Sequence, residues 1–499
     1  MKLSKNTLLF LNKVSSFIPE ERIATEKIII SGYVADLSST KEGIKFPPAV
    51  ILPKNVEEIQ KIIILANKYK IPIAPISRGS NIAGLGLPSK GEVILDLRLM
   101  DKILEINEDS AYALIEPGVT FHQLSLELKK KNFIIHNPTA SGGSSVLANY
   151  LMKPSGNLSA KWDPDPLISL EVVLPNGDIL RTGSASFENG GWRARYGPFP
   201  DLTGLFACSY GTLGIVTKGS VKIFDKGEYS KVLAIKFNSL ASAIEFMKII
   251  IRRNIADSVT FWSWVWNVFH SLMNSKDATL PIDVEKVNPK KPPEGIPFGI
   301  ATIRLSGFKE VVSAQQEICI KLAKKYDGDY ISPEEINSIH PGCWDYINSY
   351  FGDGILPKLG EECTLRTALW LPGWLIKAEP KAIIKLEKLM WEFAEKEAKP
   401  PYMFRVIPFN NATEFFMAFV ILITGDIKKN IDYILHLKKA YANFYHKFLK
   451  EYGAIMFRYR KDPSYFALTG NYAKLLKKIK KLIDPNNIMH PGVNLFLEE

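Results

Sequence analysis

A glycine-punctuated loop near the N-terminus has the residue types best suited to binding chemistry. It runs Pro75-Ile76-Ser77-Arg78-Gly79-Ser80-Asn81-Ile82-Ala83-Gly84-Leu85-Gly86 and follows an apolar run at residues 71–76. Because several of its side chains are small, successive backbone N–H groups can point into a concave nest that accepts an anion. The pattern predicts a pyrophosphate site.

Two familiar nucleotide-binding patterns do not fit this loop. No Gly-Lys-Ser/Thr follows it, and Gly84 and Gly86 supply only the first half of Gly-x-Gly-x-x-Gly. Isolated Gly-rich stretches are usually ordinary turns, so the surrounding elements must decide. Upstream, Asn55 with Glu58 three residues later has the pattern of a capping box and predicts a helix before the loop.

Composition limits the class of protein. The 499 residues, 46% of them hydrophobic, are enough for two or three domains. Because no window approaches the roughly 18 apolar residues of a membrane span, and no signal sequence is evident, we expect a cytoplasmic protein without a transmembrane segment. Abundant Lys, Glu and Ile with little Gln suit a thermophile.

The charge pattern indicates a solvated surface and no nucleic-acid partner. The net charge of +11 comes from 63 basic and 52 acidic residues, with lysine spread along predicted helices. The densest cluster lies in an amphipathic segment and consists of Lys474, Lys477, Lys478, Lys480 and Lys481. This segment is either a plain surface helix or one that docks on anionic lipid or an acidic redox partner.

Cysteine and histidine show no metal-binding pattern. Four cysteines, Cys208, Cys319, Cys343 and Cys363, are scattered without a CxxC motif, and we expect reduced packing residues. None of the seven histidines falls in HExxH, so no metal is expected.

Periodicity divides the chain into two α+β parts. In the first, residues 168–174 and 179–182 flank Asn176-Gly177 and predict a hairpin. From about residue 230, predicted strands at 232–237 and 298–304 alternate with helices at 239–253 and 311–325. Paired strands at 402–408 and 415–422 then precede a helix at 431–452. This order predicts a second domain with helices on one face of a sheet.

Three tryptophans are candidates for a substrate site. Trp262, Trp264 and Trp266 alternate along a strand predicted at residues 259–265, so their indoles should share one face. They either form an aromatic wall over a pocket or pack within the second domain.

Four segments in this order carry a family resemblance. They are the loop around Arg78, the run Glu116-Pro117-Gly118-Val119-Thr120, the stretch at residues 199–218, and Ile483-Asp484-Pro485 continuing to Gly492. Together they resemble the FAD-linked oxidases with the fold of vanillyl-alcohol oxidase and p-cresol methylhydroxylase. The resemblance covers nearly the whole chain.

The resemblance implies an α+β fold: an FAD-binding domain of two α+β subdomains plus an α+β cap domain. The implied boundaries are residues 1–228 for the FAD-binding domain, 229–454 for the cap, and 455–499 for a segment completing the FAD-binding domain. In such proteins the phosphate loop wraps the FAD pyrophosphate. The implied cofactor-binding residues are Ser77, Arg78, Gly79, Ser80, Asn81, Ile82, Pro117, Gly118, Gly142, Gly143, Ser144, Ser145, Asn149, Gly211, Gly214, Ile215 and Val216.

The flavin is expected to be noncovalent. Relatives with a tethered flavin have His near Asn81, or a linking His or Tyr in the cap at the position matching Ala368. Neither Asn81 nor Ala368 can form that bond. We also expect a lower reduction potential than that of tethered relatives.

Residues near the C-terminus supply the candidate catalytic groups. Tyr459-Arg460 matches the pair that holds a phenolate in the aromatic-alcohol branch of the family, with Arg458 as an alternative cation. The aspartate and the second tyrosine of that branch have no counterpart, because Thr139 or Ala140 and Gly84 or Leu85 stand there. Three routes are open for removal of the hydroxyl proton: an arginine-stabilised alkoxide, water, or His490 as the acceptor.

These features predict an FAD-dependent oxidoreductase that takes a hydride from an alcohol-type C–H of an aromatic alcohol or alkylphenol-like substrate. A D-2-hydroxy acid or alditol dehydrogenase, and a noncatalytic flavin-binding subunit of a redox complex, are the alternatives. Oxygen, a cytochrome or a quinone would serve as electron acceptor. A homo-oligomer is compatible with the sequence.

Overall fold

The chain was analysed as a computed structural model. It describes residues 3–34, 45–80, 83–138, 141–153, 165–274, 288–351, 368–370, 373–398, 402–422, 430–459, 461 and 466–493. Within these ranges the fold is a mixed α+β arrangement of sheets covered by helices.

The first sheet positions the glycine loop. Its strands, in spatial order, are β1 (Ile23–Ala24), β2 (Val50–Ile51), β4 (Val93–Asp96) and β3 (Ile73–Ile76). Helices α1 (Lys5–Val14), α2 (Lys27–Ile30) and α3 (Val56–Tyr69) accompany it. The predicted cap of α3 is confirmed, because the Glu58 backbone N–H donates to Asn55 Oδ1 at 2.8 Å. The glycine loop leaves the sheet at the end of β3.

The second sheet is antiparallel and carries the other predicted cofactor segments. Its strands run in the order β5 (Ile103–Asn107), β6 (Tyr112–Ile115), β10 (Ile215–Lys222), β8 (Leu167–Val173) and β9 (Ile179–Arg181). β7 (Phe133–Ile134) pairs separately with β11 (Phe224–Asp225). The helices are α4 (Phe121–Lys129), α5 (Val146–Leu151) and α6 (Leu202–Phe206). The predicted hairpin is confirmed by the antiparallel β8–β9 pair.

The third sheet has nine strands and falls mostly within the residues predicted to form a cap. Its strands are β12 (Tyr229–Phe237), β13 (Ser258–Ser263), β14 (Gly299–Gly307), β15 (Gly328–Tyr330), β16 (Ala368–Trp370), β17 (Trp374–Lys377), β18 (Tyr402–Phe409), β19 (Glu414–Leu422) and β20 (Ile455–Met456). The helices of this part are α7 (Leu240–Arg252), α8 (Trp264–Asn274), α9 (Lys309–Lys325), α10 (Pro333–Ile339), α11 (Cys343–Phe351), α12 (Pro380–Glu397) and α13 (Ile431–Tyr452).

The two faces of the cap sheet have different neighbours. One face packs in a core with α7, α9, α12 and α13, and residues such as Phe261 and Phe404 lie in it. The opposite face, with Trp262 and Met403, shares a second core with residues of the antiparallel sheet such as Ala113 and Ile115. Side chains that alternate along β13 and β18 are therefore divided between a helix-covered core and the junction with the antiparallel sheet.

One prediction for the cap was wrong. Trp262, Trp264 and Trp266 do not alternate along one strand, because β13 ends at Ser263 and α8 begins at Trp264. The chain leaves the sheet where the Ser263 hydroxyl accepts the Phe404 backbone N–H at 3.1 Å. Trp262 and Trp266 still meet at a ring distance of 5.4 Å, whereas the Trp264 indole donates to the Pro289 carbonyl.

The C-terminal segment returns to the first sheet. After β20 pairs with β17 in the cap, the chain forms α14 (Asn471–Ile483). Met489 then lies parallel to β3, with the Ile73 N–H donating to the Ile488 carbonyl and the His490 N–H donating to the Ile73 carbonyl, both at 2.8 Å. This pairing places the chain around residue 490 beside the strand that leads into the glycine loop.

Candidate functional site

The glycine loop is open at its tip and anchored at its base. Gly79 and Ser80 are exposed, and Gly79 has φ of +67°, a conformation that favours glycine. The Arg78 Nε donates to the Gly118 carbonyl at 2.6 Å. Asn81 and Ile82 lie outside the described residues. The loop therefore exposes its backbone at Gly79 and Ser80 to a ligand, while Arg78 fixes its first turn against the Pro117-Gly118 turn.

Two further predicted segments pack on each other. The Ser145 hydroxyl donates to the Pro117 carbonyl at 2.6 Å, and the His122 N–H donates to the Gly142 carbonyl at 2.9 Å. Ser144 and Asn149 are also buried here, while Gly143 is exposed. A Cβ on Gly118 would lie 2.6 and 2.7 Å from the carbonyl oxygens of Met100 and Arg98, so only glycine fits this turn.

The segment from Gly211 to Val216 joins the loop strand to the antiparallel sheet. Gly211 has φ of +76°, and a Cβ there would lie 2.5 Å from Pro75 Cγ. A Cβ on Gly214 would lie 2.6 Å from Val172 Cγ1, and Ile215 and Val216 begin β10. These close approaches bring the chain at residue 211 against the base of the glycine loop.

His490 is buried beside this junction with one ring nitrogen satisfied. It is 1% exposed, and its Nδ1 donates to the Tyr210 carbonyl oxygen at 2.8 Å. Because a carbonyl only accepts, this bond fixes the tautomer and leaves Nε2 as a bare acceptor. Nε2 has no hydrogen-bond partner among the described residues. Burial lowers the pKa of His490 to about 3, so the ring is neutral at physiological pH.

Tyr459 lies against the same turn. Its backbone N–H donates to the Tyr210 hydroxyl at 3.3 Å, and the two rings lie 5.9 Å apart. Tyr459 is 8% exposed and packs with Ala83 and Leu85 of the glycine loop. Tyr459 and His490 are therefore both brought to Tyr210. Arg460 lies outside the described residues.

Arg458 points to a different set of atoms. Its guanidinium donates to the carbonyl oxygens of Met152 and Lys153, at 3.2 and 2.6 Å. This contact ties the C-terminal segment to the end of α5.

The environment of Lys480 differs from the one predicted for the basic helix. It is 7% exposed, and its Nζ donates to Asp484 Oδ2 at 2.5 Å, the Thr212 carbonyl at 2.9 Å and the Met489 carbonyl at 3.0 Å. The prediction that it belongs to a lysine-rich surface was wrong, because α14 turns this position toward the carbonyls of Thr212 and Met489. Lys474, Lys478 and Lys481 are exposed and Lys477 is half-buried.

The cap sheet also carries a polar cluster that the sequence patterns did not predict. Arg405, on β18, is 4% exposed, and its guanidinium lies 5.8 Å from the Trp262 ring centre and 5.3 Å from that of Trp266. His270 stacks on Tyr346 at 4.8 Å. The sequence did contain one indication of this cluster. Arg405 is the single charged residue in the otherwise apolar run Tyr402–Phe409, and a charge in a buried strand needs compensating contacts.

These features fit a dinucleotide cofactor. The glycine loop is anchored and open, and the turn at Gly118 excludes a side chain. Asn149 Oδ1 and His490 Nε2 are buried acceptors without partners in the described part of the chain, as expected where a ligand supplies donors. The fold and the site thus define a protein of two smaller sheets and one large sheet, with an anchored glycine loop that can hold a dinucleotide.

Comparison with known proteins supports this class. A family model described as "FAD binding domain" matches residues 47–183. The glycolate oxidase subunit GlcD of Bacillus subtilis is 34% identical over 225 residues, covering 44% of this chain and 46% of that protein. The 4-cresol dehydrogenase [hydroxylating] flavoprotein subunit of Pseudomonas putida is 28% identical, covering 51% of each. The chain spans about half the length of these curated relatives.

Solved structures show the same fold over the whole chain. p-Cresol methylhydroxylase with substrate bound gives a TM-score of 0.80 at 20% identity, covering 99% of this chain and 98% of that one. The 4-ethylphenol oxidase of Gulosibacter chungangensis gives 0.83 at 19% identity with the same coverage. Residues 47–183 therefore match an FAD-binding domain, with FAD as the cofactor, and the whole chain shares the fold of these solved structures.

Among the helices that the structure describes, none is both long enough and apolar enough to cross a membrane.

Proposed function

We propose that the protein is an FAD-dependent oxidoreductase that removes a hydride from a carbon bearing a hydroxyl group. The observation that carries the proposal is the buried, unpartnered Nε2 of His490, held beside the glycine loop and Tyr459. The relatives named as a glycolate oxidase subunit and a cresol dehydrogenase flavoprotein subunit support this class of reaction.

Oxidation of an alcohol carbon to a carbonyl removes one hydride and one proton. FAD, when bound, supplies the hydride acceptor. The remaining work falls to the chain: it must orient the hydroxyl, lower the cost of negative charge on its oxygen, and exclude water. Tyr459 is proposed to hold that oxygen, and Arg460 to supply a positive charge beside it.

His490 is proposed to receive the hydrogen bond of the substrate hydroxyl at Nε2. Burial disfavours the charged imidazolium, as the pKa of about 3 indicates. Nδ1 stays fixed by the Tyr210 carbonyl, so Nε2 cannot rotate away. His490 therefore aligns the O–H bond, and its Nε2 accepts the hydroxyl proton as the hydride leaves the carbon.

Two substrate classes follow from the relatives. An aromatic alcohol or alkylphenol-like substrate agrees with the Tyr459-Arg460 pair, with the cresol dehydrogenase relative, and with the fold. A D-2-hydroxy acid is supported by the glycolate oxidase subunit and by the D-lactate dehydrogenase [cytochrome] of Arabidopsis thaliana, 30% identical over 211 residues.

A substrate panel tests the proposal. Purified holoenzyme would be mixed anaerobically with vanillyl alcohol, 4-alkylphenols, D-lactate, glycolate and xylitol, and bleaching of the flavin absorbance followed. We expect bleaching by at least one compound that carries hydrogen on its hydroxyl-bearing carbon, whereas bleaching by 4-alkylphenols alone would place hydride removal on the alkyl carbon and contradict this form of the proposal. If every class leaves the flavin oxidised, the enzymatic proposal is wrong and a noncatalytic flavin-binding subunit becomes the better description.

The electron acceptor belongs to the same proposal. The cresol dehydrogenase relative is named as a flavoprotein subunit, which favours a separate redox partner over oxygen. To identify the acceptor, the rate of reoxidation of the bleached enzyme would be compared for oxygen, a cytochrome and a quinone under one set of conditions.

A further inference from the structure

Helix α14 exposes an apolar stripe to solvent. At 3.6 residues per turn, its apolar side chains fall within about one third of the circumference, and the stripe consists of Tyr472, Leu475, Leu476, Ile479, Leu482 and Ile483. Tyr472 is 62% exposed, Leu475 58% and Leu482 83%, and the other three are half-buried. A continuous apolar surface of this kind marks a site of contact with a partner.

A row of lysines lies directly beside the apolar stripe. Lys474, Lys478 and Lys481 are exposed there, and Lys477 is half-buried. Their spacing of three and four residues puts them on one side of the helix. The sequence Asn471–Ile483 contains no aspartate or glutamate. The exposed side of α14 is therefore divided lengthwise into an apolar half and a positively charged half.

A buried ion pair holds α14 in this orientation. Lys480 is turned inward, where its Nζ donates to Asp484 Oδ2 and to the carbonyls of Thr212 and Met489. Rotation of the helix to bury the apolar stripe would pull this lysine out of its contacts, and breaking a buried ion pair is costly. Because α14 is held in this way, the stripe leaves water by contact with another surface.

Positive charge continues beyond the C-terminal end of α14. Asn486 donates from Nδ2 to Asn67 Oδ1 at 2.5 Å, which brings the segment after α14 to the end of α3. Lys68 and Lys70, at that end of α3, are exposed. Lysines spread widely around an apolar stripe match an extended anionic layer better than a compact acidic patch on a protein.

We propose that the apolar stripe and the lysine row of α14 dock the protein on a bilayer that contains anionic phospholipid. Tyr472 and the leucines enter the boundary between the headgroups and the acyl chains, while the lysines lie among the phosphates. The helix lies in the plane of the bilayer and does not cross it. This docking does not rest on the proposed function, because neither the flavin nor the hydride transfer takes part in it.

Sedimentation with lipid vesicles tests the proposal on the wild-type holoprotein. Vesicles of phosphatidylcholine and phosphatidylglycerol in equal parts would be compared with vesicles of phosphatidylcholine alone. We expect binding to the anionic vesicles that is roughly 100-fold tighter and that weakens as salt is added, because salt screens the lysines. Equal binding to both kinds of vesicle overturns the proposal. Binding to neither also overturns it, and an acidic protein or a second copy of this chain then becomes the better partner.

A triple lysine variant assigns the charge effect to α14. Replacing Lys474, Lys478 and Lys481 with Gln should weaken binding to the anionic vesicles by roughly 100-fold, at about fivefold for each lysine near the lipid surface. The control removes the same charge from three exposed lysines of α9, which are Lys321, Lys324 and Lys325. The control should bind nearly as tightly as the wild type. An equal loss in both variants would reflect net charge alone and contradict the assignment to α14.

A double leucine variant tests the apolar stripe at unchanged charge. Leu475→Gln with Leu482→Gln should weaken binding to the anionic vesicles by roughly tenfold for each leucine that no longer leaves water. The control is Leu104→Gln with Leu126→Gln, at two leucines that are 43% and 42% exposed. Melting temperature and bound FAD verify that both variants fold, since all four side chains lie on the surface. If the α14 variant binds as tightly as its control, the stripe does not enter the bilayer and the proposal is wrong.

Discussion

His490 donates from Nδ1 to the carbonyl oxygen of Tyr210 across 2.8 Å, at the turn where Tyr459 also packs. A residue from the C-terminal segment is thereby fixed to a turn that precedes β10. The pairing of Met489 with Ile73 completes the arrangement, since β3 leads into the glycine loop. The candidate site is therefore assembled from three distant parts of the chain.

Replacing His490 should slow the chemical step. In His490→Ala, flavin reduction by the best substrate of the panel should fall by roughly 100-fold, the lower end of what a positioned proton-transfer group contributes. Stopped-flow reduction of FAD-loaded enzyme measures it. His436→Ala is the control, because His436 lies on the exposed side of α13 and pairs with Glu397. Reduction at the wild-type rate in His490→Ala contradicts the proposed role.

Stability should depend on pH through His490. Its pKa is about 3 in the folded protein and 6.5 when unfolded, so between these values the unfolded chain binds the extra proton. The stability that the neutral ring provides is complete above pH 6.5 and is lost as the pH falls toward 3. From pH 6.5 to 5 the loss is about 2 kcal/mol for this one group.

Urea unfolding of the wild type and His490→Phe at pH 7 and pH 5 measures this contribution. The difference in unfolding free energy between the two pH values should be smaller in the variant. Equal differences would show that His490 does not titrate as its burial requires.

The ion pair of Lys480 should be structural. Lys480→Met leaves Asp484 buried without its cation, and breaking a buried pair typically costs about 3–5 kcal/mol. We expect a lower melting temperature and faster loss of FAD, because Lys480 also holds the carbonyls of Thr212 and Met489. Lys478→Met, an exposed lysine of the same helix, should change neither. Matching behaviour of the two variants argues against this role.

The turn at Gly118 should tolerate no side chain. Gly118→Ala forces a Cβ against the carbonyls of Met100 and Arg98, and overpacking of this kind costs about 1–3 kcal/mol. Because Arg78 of the glycine loop is held by the Gly118 carbonyl, we expect weaker FAD binding by equilibrium titration. Gly32→Ala is the control, since a Cβ there meets nothing within 4 Å. Unchanged FAD affinity in Gly118→Ala would show that the Gly118 turn does not support FAD binding by the glycine loop.

FAD should be released intact by denaturation. Neither Asn81 nor Ala368 offers a side chain for a covalent bond. After acid precipitation, all flavin absorbance should therefore appear in the supernatant. Flavin that stays with the pellet would show a covalent link elsewhere in the chain.

Local patterns in the sequence were sufficient for most elements. The capped helix after Asn55, the hairpin at Asn176-Gly177 and the helix Ile431–Tyr452 were all predicted, because caps, turn residues and periodicity act over short distances. The tryptophans were misplaced since a spacing of four residues fits both a strand face and a helix face. The spacing of the three tryptophans therefore does not distinguish a strand from the start of a helix.

The parts of the site that the sequence did not predict depend on distant contacts. Lys480 looks like any lysine of a basic helix until Thr212 and Met489 are placed around it. Arg405 and His270 come together only when β18 packs beside α8. The lone cation in β18 was visible in the sequence, but its aromatic surroundings come from three separate elements.

The most direct test of the account is a single-turnover measurement on the holoenzyme without oxygen. The most effective alcohol or hydroxy acid of the panel is added to excess enzyme, and both bleached flavin and carbonyl product are quantified. The account predicts one carbonyl formed for each FAD reduced. Flavin that remains oxidised, or that bleaches without any carbonyl product, would contradict hydride removal from a hydroxyl-bearing carbon.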